Sequence, residues 1–133
     1  MTSNSSDVEW LRKAAAFLGA SGVALGAIGA HAFRDTLSQR GMQSNWQTAT
    51  IYQLFHATAL LGLASQSDSV HPLAGKLLAL GSTMFSGSIY MLCLGMGPKA
   101  VLGPTTPIGG LLMISGWAFV GIGGISDSVG KDK

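Results

Sequence analysis

Four stretches of this chain carry no charged side chain: residues 14–33, 48–65, 77–97 and 108–125. At 1.5 Å per residue, a run of about 20 residues matches the ~30 Å hydrocarbon thickness of a bilayer. Inside lipid every backbone N–H and C=O needs a partner within the protein, and a single uncharged run meets that demand as a helix. Composition points to the same solvent, since charged residues make up only 11% of the chain against roughly 25% in soluble domains. The expectation is an all-α, polytopic membrane protein, a four-transmembrane-helix bundle over residues 14–125. A polar N-terminal segment, 1–13, and a polar C-terminal tail, 126–133, flank it.

The breaks between the runs are chemically marked. Arg34, Asp35 and Arg40 follow the first run, and Gly41 is placed to end a short interfacial helix through a left-handed residue. Ser44 or Asn45 is suited to cap the second span, with Trp46 at headgroup level. His71 reads as a solvent-facing loop residue beside Pro72. Ahead of the fourth span, Thr106 is suited to cap and Pro107 to occupy the first turn.

Four spans put both termini on one side. That side holds Arg12, Lys13, Lys76, Lys131 and Lys133, against Arg34, Arg40 and Lys99 on the other, a bias toward cytoplasmic or matrix-side termini. The uncharged part of the first run is too long for the core of a signal peptide. The Ser-rich opening suggests an organelle transit peptide, and Asp7 and Glu9 argue against one. A bacterial inner membrane, a mitochondrial membrane and a plastid membrane all fit.

The helical faces predict how the spans pack. Ala15, Gly19, Gly22, Gly26, Gly29 and Ala30 share one side of the first span, with Gly22 and Gly26 in the four-residue spacing that lets helices approach closely. His31 falls on a second face with Ala20, Ala24 and Ala27 and is expected to anchor a second neighbour, while Leu18, Leu25 and Ile28 meet lipid. Sevenfold repeats of small residues, Gly81, Ser88 and Gly95 in the third span and Gly109, Gly116 and Gly123 in the fourth, mark sustained seams.

The candidate polar cluster consists of His31, Tyr52, Gln53 and His56. Tyr52, Gln53 and His56 share a face of the second span, where such groups bridge helices or line a wet path. Haem ligation by His31 and His56 together is disfavoured, because they sit at different depths, roughly 3 Å and 12 Å from the same end. The lone Cys93 excludes an internal disulfide and reads as packing. The scattered net charge of +2 excludes a nucleic-acid surface. No catalytic pair, nucleophile with base, phosphate loop or metal-ligand pattern is present, so neither an enzyme nor a cofactor is expected.

The segments GAIGAHAF, WQTATIYQLFHATALL, MFSGSIY and LGPTTPIGGLLMISGW, in that order, closely resemble the transmembrane protein 256 family. These are small four-helix membrane proteins of bacteria and eukaryotes grouped as a domain of unknown function. The resemblance spans about residues 14–125 and implies a four-span bundle without assigning a reaction. Three functions stay open: a non-catalytic accessory subunit of a larger membrane assembly, a small-solute or proton transporter using the polar cluster, and a haem or pigment carrier. The partners expected are membrane lipids and other subunits, with no nucleic acid.

Overall fold

The computed structural model describes residues 5–66 and 69–131, with side chains described as far as residue 123. The polar tail, residues 126–133, therefore lies outside the described side chains. The architecture is all-helical: α1 (Ser5–Ala30), α2 (Arg34–Gln39), α3 (Gln43–Ser65), α4 (Pro72–Cys93) and α5 (Lys99–Lys131). Two of these, α1 and α5 through Gly123, are long and apolar enough to cross a membrane by length and composition.

Helix α1 begins nine residues before the uncharged run. Its first turns are amphipathic: Leu11, Ala15 and Leu18 are buried, whereas Glu9 and Lys13 form an exposed i,i+4 ion pair at 2.6 Å. Arg12 and Lys13 therefore belong to the helix rather than to a segment preceding it.

Two helices end as their glycines dictate. Gly41 has φ 65°, its N–H donates to Ser38 O at 3.1 Å, and Met42 N–H donates to Leu37 O at 2.9 Å, the paired bonds of a Schellman motif closing α2. Gly95, φ 68°, repeats this after α4, with Gly95 N–H on Leu92 O and Met96 N–H on Met91 O. The expected helix starts are corrected. Helix α3 begins at Gln43 behind Met42 with no side-chain cap, so neither Ser44 nor Asn45 caps it. His71 is half-buried rather than solvent-facing, caps α4 by accepting Leu73 N–H on Nδ1 at 3.2 Å, and packs against Phe119.

Helix α5 starts at Lys99, and Pro104 and Pro107 lie inside it. Thr106 is accordingly not a cap; its hydroxyl bonds back to Leu102 O at 3.3 Å and meets Ser88 Oγ of α4 at 2.6 Å. Proline removes N–H donors here, and a helix tolerates that where a neighbour and Thr side chains hold it.

The long helices follow one another as antiparallel neighbours, α1 on α3, α3 on α4, and α4 on α5. Glycine sets the spacing. A Cβ at Gly22 would lie 2.8 Å from Leu54, one at Gly26 would lie 3.2 Å from Thr50 Cγ2, and one at Gly29 would overlap the Trp46 indole. In the α4–α5 seam, a Cβ at Gly81 would fall 2.7 Å from both Gly109 O and Met113 N, and one at Gly116 would fall 2.8 Å from Leu78. Gly109 meets the Phe85 backbone in the same seam, and Gly123 meets the chain at Ser69 and His71.

Two apolar cores result. One gathers Leu11, Leu18, Leu60, Leu63, Leu78 and Met113; the other gathers Leu37, Trp46, Ala49, Ile89, Tyr90 and Cys93. Leu18 is thus 5% exposed rather than lipid-facing. Leu25 is half-buried against the second core, whereas Ile28 is exposed as expected, together with Phe17 and Val23 at 69% and 65%.

Candidate functional site

Along α3, the two apolar cores are separated by Gln53 and His56, which are 4% and 3% exposed. An amide and an imidazole at that depth need partners from other helices, and both have them. Gln53 Nε2 donates to Leu18 O of α1 at 2.9 Å and to Ser21 Oγ at 2.7 Å. Its Oε1 accepts from Tyr90 OH of α4 at 2.9 Å. One amide therefore ties three helices together with its polar atoms satisfied. Tyr90 OH also lies 3.2 Å from Thr50 Oγ1, and Ser86 Oγ donates to Ala49 O at 2.7 Å in the same seam.

His56 joins a fourth helix. Trp117 Nε1–H of α5 donates to His56 Nε2 at 3.1 Å, and His56 Nδ1 lies 2.8 Å from Tyr52 O. An indole N–H only donates, so Nε2 is the acceptor and the ring proton belongs on Nδ1, where it reaches the Tyr52 carbonyl. Both ring nitrogens are occupied, and a metal or haem iron at Nε2 would have to displace the Trp117 indole. Among the described residues no three His, Cys, Asp or Glu side chains gather to hold a metal.

The predicted cluster divides. Gln53 and His56 are buried in the polar layer, whereas Tyr52 is 43% exposed and packs on Phe85 at 4.8 Å between ring centroids. His31 does not join them. It lies exposed in the turn after α1, at the end of the molecule where Gly29 meets Trp46, and His56 sits ten residues further along α3, about 15 Å away along the axis. Among the described residues no second neighbour covers His31, and Ala20, Ala24 and Ala27 are exposed with it. The ideal wheel separates faces correctly but does not say which of them finds a partner.

Four further residues complete the layer: Ser21, Thr50, Tyr90 and Trp117. Tyr90 and Trp117 carry donors that an apolar environment cannot satisfy, which is the signal that marks them in sequence. Trp46, expected at headgroup level, is instead 3% exposed; its Nε1–H donates to Leu25 O at 2.9 Å, and its ring packs on Tyr90 at 4.6 Å. A groove of about 470 Å³ runs outside the layer between α3 and α5, lined by Tyr52, Phe55, His56, Phe85, Met113 and Trp117.

Long apolar helices, glycine seams and a sealed polar layer define a small all-helical membrane protein. The chain belongs to the UPF0382 membrane protein family: residues 25–110 match the family model described as a protein of unknown function, DUF423. It is 42% identical over 113 residues to a UPF0382 membrane protein of Schizosaccharomyces pombe, covering 78% of this chain and 92% of that one. It is 47% identical over 98 residues to a UPF0382 membrane protein of Staphylococcus epidermidis, covering 71% and 78%. It is also 38% identical over 108 residues to the UPF0382 inner membrane protein YgdD of Escherichia coli, covering 77% and 79%. No solved structure matches the chain.

Proposed function

We propose that the chain crosses the membrane four times, through α1, α3, α4 and α5, and serves without catalysis as an accessory or scaffolding subunit of a larger membrane assembly. Helices α3 and α4 have 23 and 22 residues and so span about 33 Å, enough for the hydrocarbon layer. Five of their polar residues, Gln53, His56, Ser82, Ser86 and Ser88, are buried and so withdrawn from the surface offered to lipid, where Thr58 and Thr83 remain exposed near mid-helix. The motif resemblance to the transmembrane protein 256 family supports the same four-helix reading.

The observation that carries the subunit role is surplus glycine. Packing within the chain uses Gly22, Gly26, Gly29, Gly81, Gly109, Gly116 and Gly123, yet Gly62, Gly103 and Gly121 face open space. Ala20, Ala24 and Ala27 are likewise exposed on α1. Glycine weakens an isolated helix, and close approach by a second helix is what offsets the cost. Solute or proton transport draws support from the groove beside His56. Against it, the polar layer satisfies its own donors, and the four uncharged runs hold no Asp or Glu to carry an ion. A haem carrier using His56 Nε2 as axial ligand would have to break the Trp117–His56 bond.

Native mass spectrometry of the protein extracted from its own membrane in mild detergent tests the role. Companion chains adding to the 13.7 kDa protein are expected, and a bare chain overturns the subunit reading. Topology is tested separately with an impermeant maleimide on Gln39→Cys, Ser69→Cys and Lys99→Cys in a Cys93→Ser background. Four crossings require Ser69→Cys to label from the side opposite to the other two.

A further inference from the structure

At the end of the molecule that carries α2, helices α1 and α3 enclose an open cavity of about 430 Å³, within the size range of small-molecule sites. Its walls change character with depth. Gly26 and Ala30 of α1 and Ile51 of α3 make its apolar wall, with Gly29 beneath the Trp46 indole. Arg34, Gln43 and Gln47, all exposed in the first turns of α2 and α3, supply the polar wall. The cations at this end are not equivalent. Arg40 is committed to Cys93 O through Nε at 2.8 Å, while Arg34 makes no ion pair among the described residues.

We propose that this cavity holds one anionic glycerophospholipid, its phosphate against Arg34 with Gln43 and Gln47 amides donating beside it. The first part of an acyl chain lies along the exposed Ala30 and Ile51 side of the apolar wall. A guanidinium fork matches two phosphate oxygens, and the passage from polar to apolar lining follows a lipid from headgroup to tail. A phosphate-bearing lipid, rather than a companion helix, is favoured because the polar wall sets one guanidinium beside two amides, donors that the several acceptor oxygens of a phosphate meet at once. A choline headgroup would set a second cation beside the guanidinium, so the headgroup is anionic. This inference rests on the four-crossing reading, and the maleimide pattern tests that reading independently of lipid retention.

The test is native mass spectrometry of the purified full-length protein in mild detergent with equal amounts of phosphatidylglycerol and phosphatidylcholine. Preferential retention of phosphatidylglycerol is expected. Arg34→Ala should lower it about tenfold, the value of one charge-assisted contact; Arg34→Lys, which keeps the charge without the fork, should restore only part of it, and Lys99→Ala should leave it unchanged. Circular dichroism of each variant confirms the helix content. Equal retention of the two lipids, undiminished phosphatidylglycerol in Arg34→Ala, or displacement by millimolar glycerol phosphate would each overturn the proposal. The last result would mark a site for free phosphate rather than for a lipid.

Discussion

Trp117 Nε1 lies 3.1 Å from His56 Nε2, a single hydrogen bond joining α5 to α3 beside the groove between them. Helix α5 otherwise leans on α4, so this bond ties the outer helix to the polar layer. It also fixes the tautomer of His56, since an acceptor at Nε2 leaves the proton to Nδ1.

Removing the donor isolates its contribution. Trp117→Phe keeps an aromatic ring but leaves His56 Nε2 without its partner. The expected loss is about 0.6–1.7 kcal/mol, the range for hydrogen bonds between membrane helices. Reversible unfolding in mixed detergent micelles measures it, and a variant as stable as wild type would show that the bond contributes nothing.

The glycines separate into two kinds. At Gly109 a Cβ would stand 2.5 Å from Phe85 N and 2.8 Å from Gly81 O, both backbone atoms that cannot yield without parting α4 from α5. Gly109→Ala should destabilise the fold by about 1–3 kcal/mol. Gly62→Ala and Gly121→Ala meet open space and should stabilise the isolated chain by about 0.5–1 kcal/mol, since alanine costs a helix less than glycine does. In the native membrane, the same two substitutions should weaken association with companion chains, an effect read by co-purification.

Gln53 and Tyr90 should behave as a coupled pair. Gln53→Leu strands Tyr90 OH with only Thr50 to bond, and Tyr90→Phe strands Gln53 Oε1. A double-mutant cycle is expected to give a coupling of about 0.6–1.7 kcal/mol. Strict additivity would mean that the 2.9 Å contact is energetically idle.

Arg40 closes the end of α4. Its Nε donates to Cys93 O at 2.8 Å, and its guanidinium packs where a Cβ on Gly95 would fall. A cation at a helix C-terminus also meets the negative end of the helix dipole. Arg40→Ala should therefore cost about 1 kcal/mol at low ionic strength, less in high salt because the site is exposed. Hydrogen exchange at Leu92–Gly95 should accelerate while exchange at the middle of α4 is unchanged.

The sequence by itself determined the solvent, the helical class and much of the contact chemistry. Uncharged runs of bilayer length leave the backbone little choice but helix, and a glycine spaced every four or seven residues predicts close approach whichever helix arrives. Gly22 and Gly26, Gly81 and Gly109 were legible for that reason, as was Gly41, whose turn needs a positive φ. Tyr52, Gln53 and His56 were legible as one polar face from their spacing, but that Gln53 and His56 are buried while Tyr52 is exposed was not.

Only the tertiary structure decided which face met which helix. His31 lies one residue past the end of α1 and is left exposed because none of the described elements covers the Ala20–Ala27 face, a fact no periodicity within α1 encodes. Trp46, Tyr90 and Trp117 take their roles from partners 21, 37 and 61 positions away along the chain. Helix starts were misread at Thr106 and Pro107 for the same reason: local propensity ends a helix at proline, but packing of Ser88 against Thr106 carries α5 through it. A helix's own sequence fixes which of its groups need partners, and the fold alone supplies them.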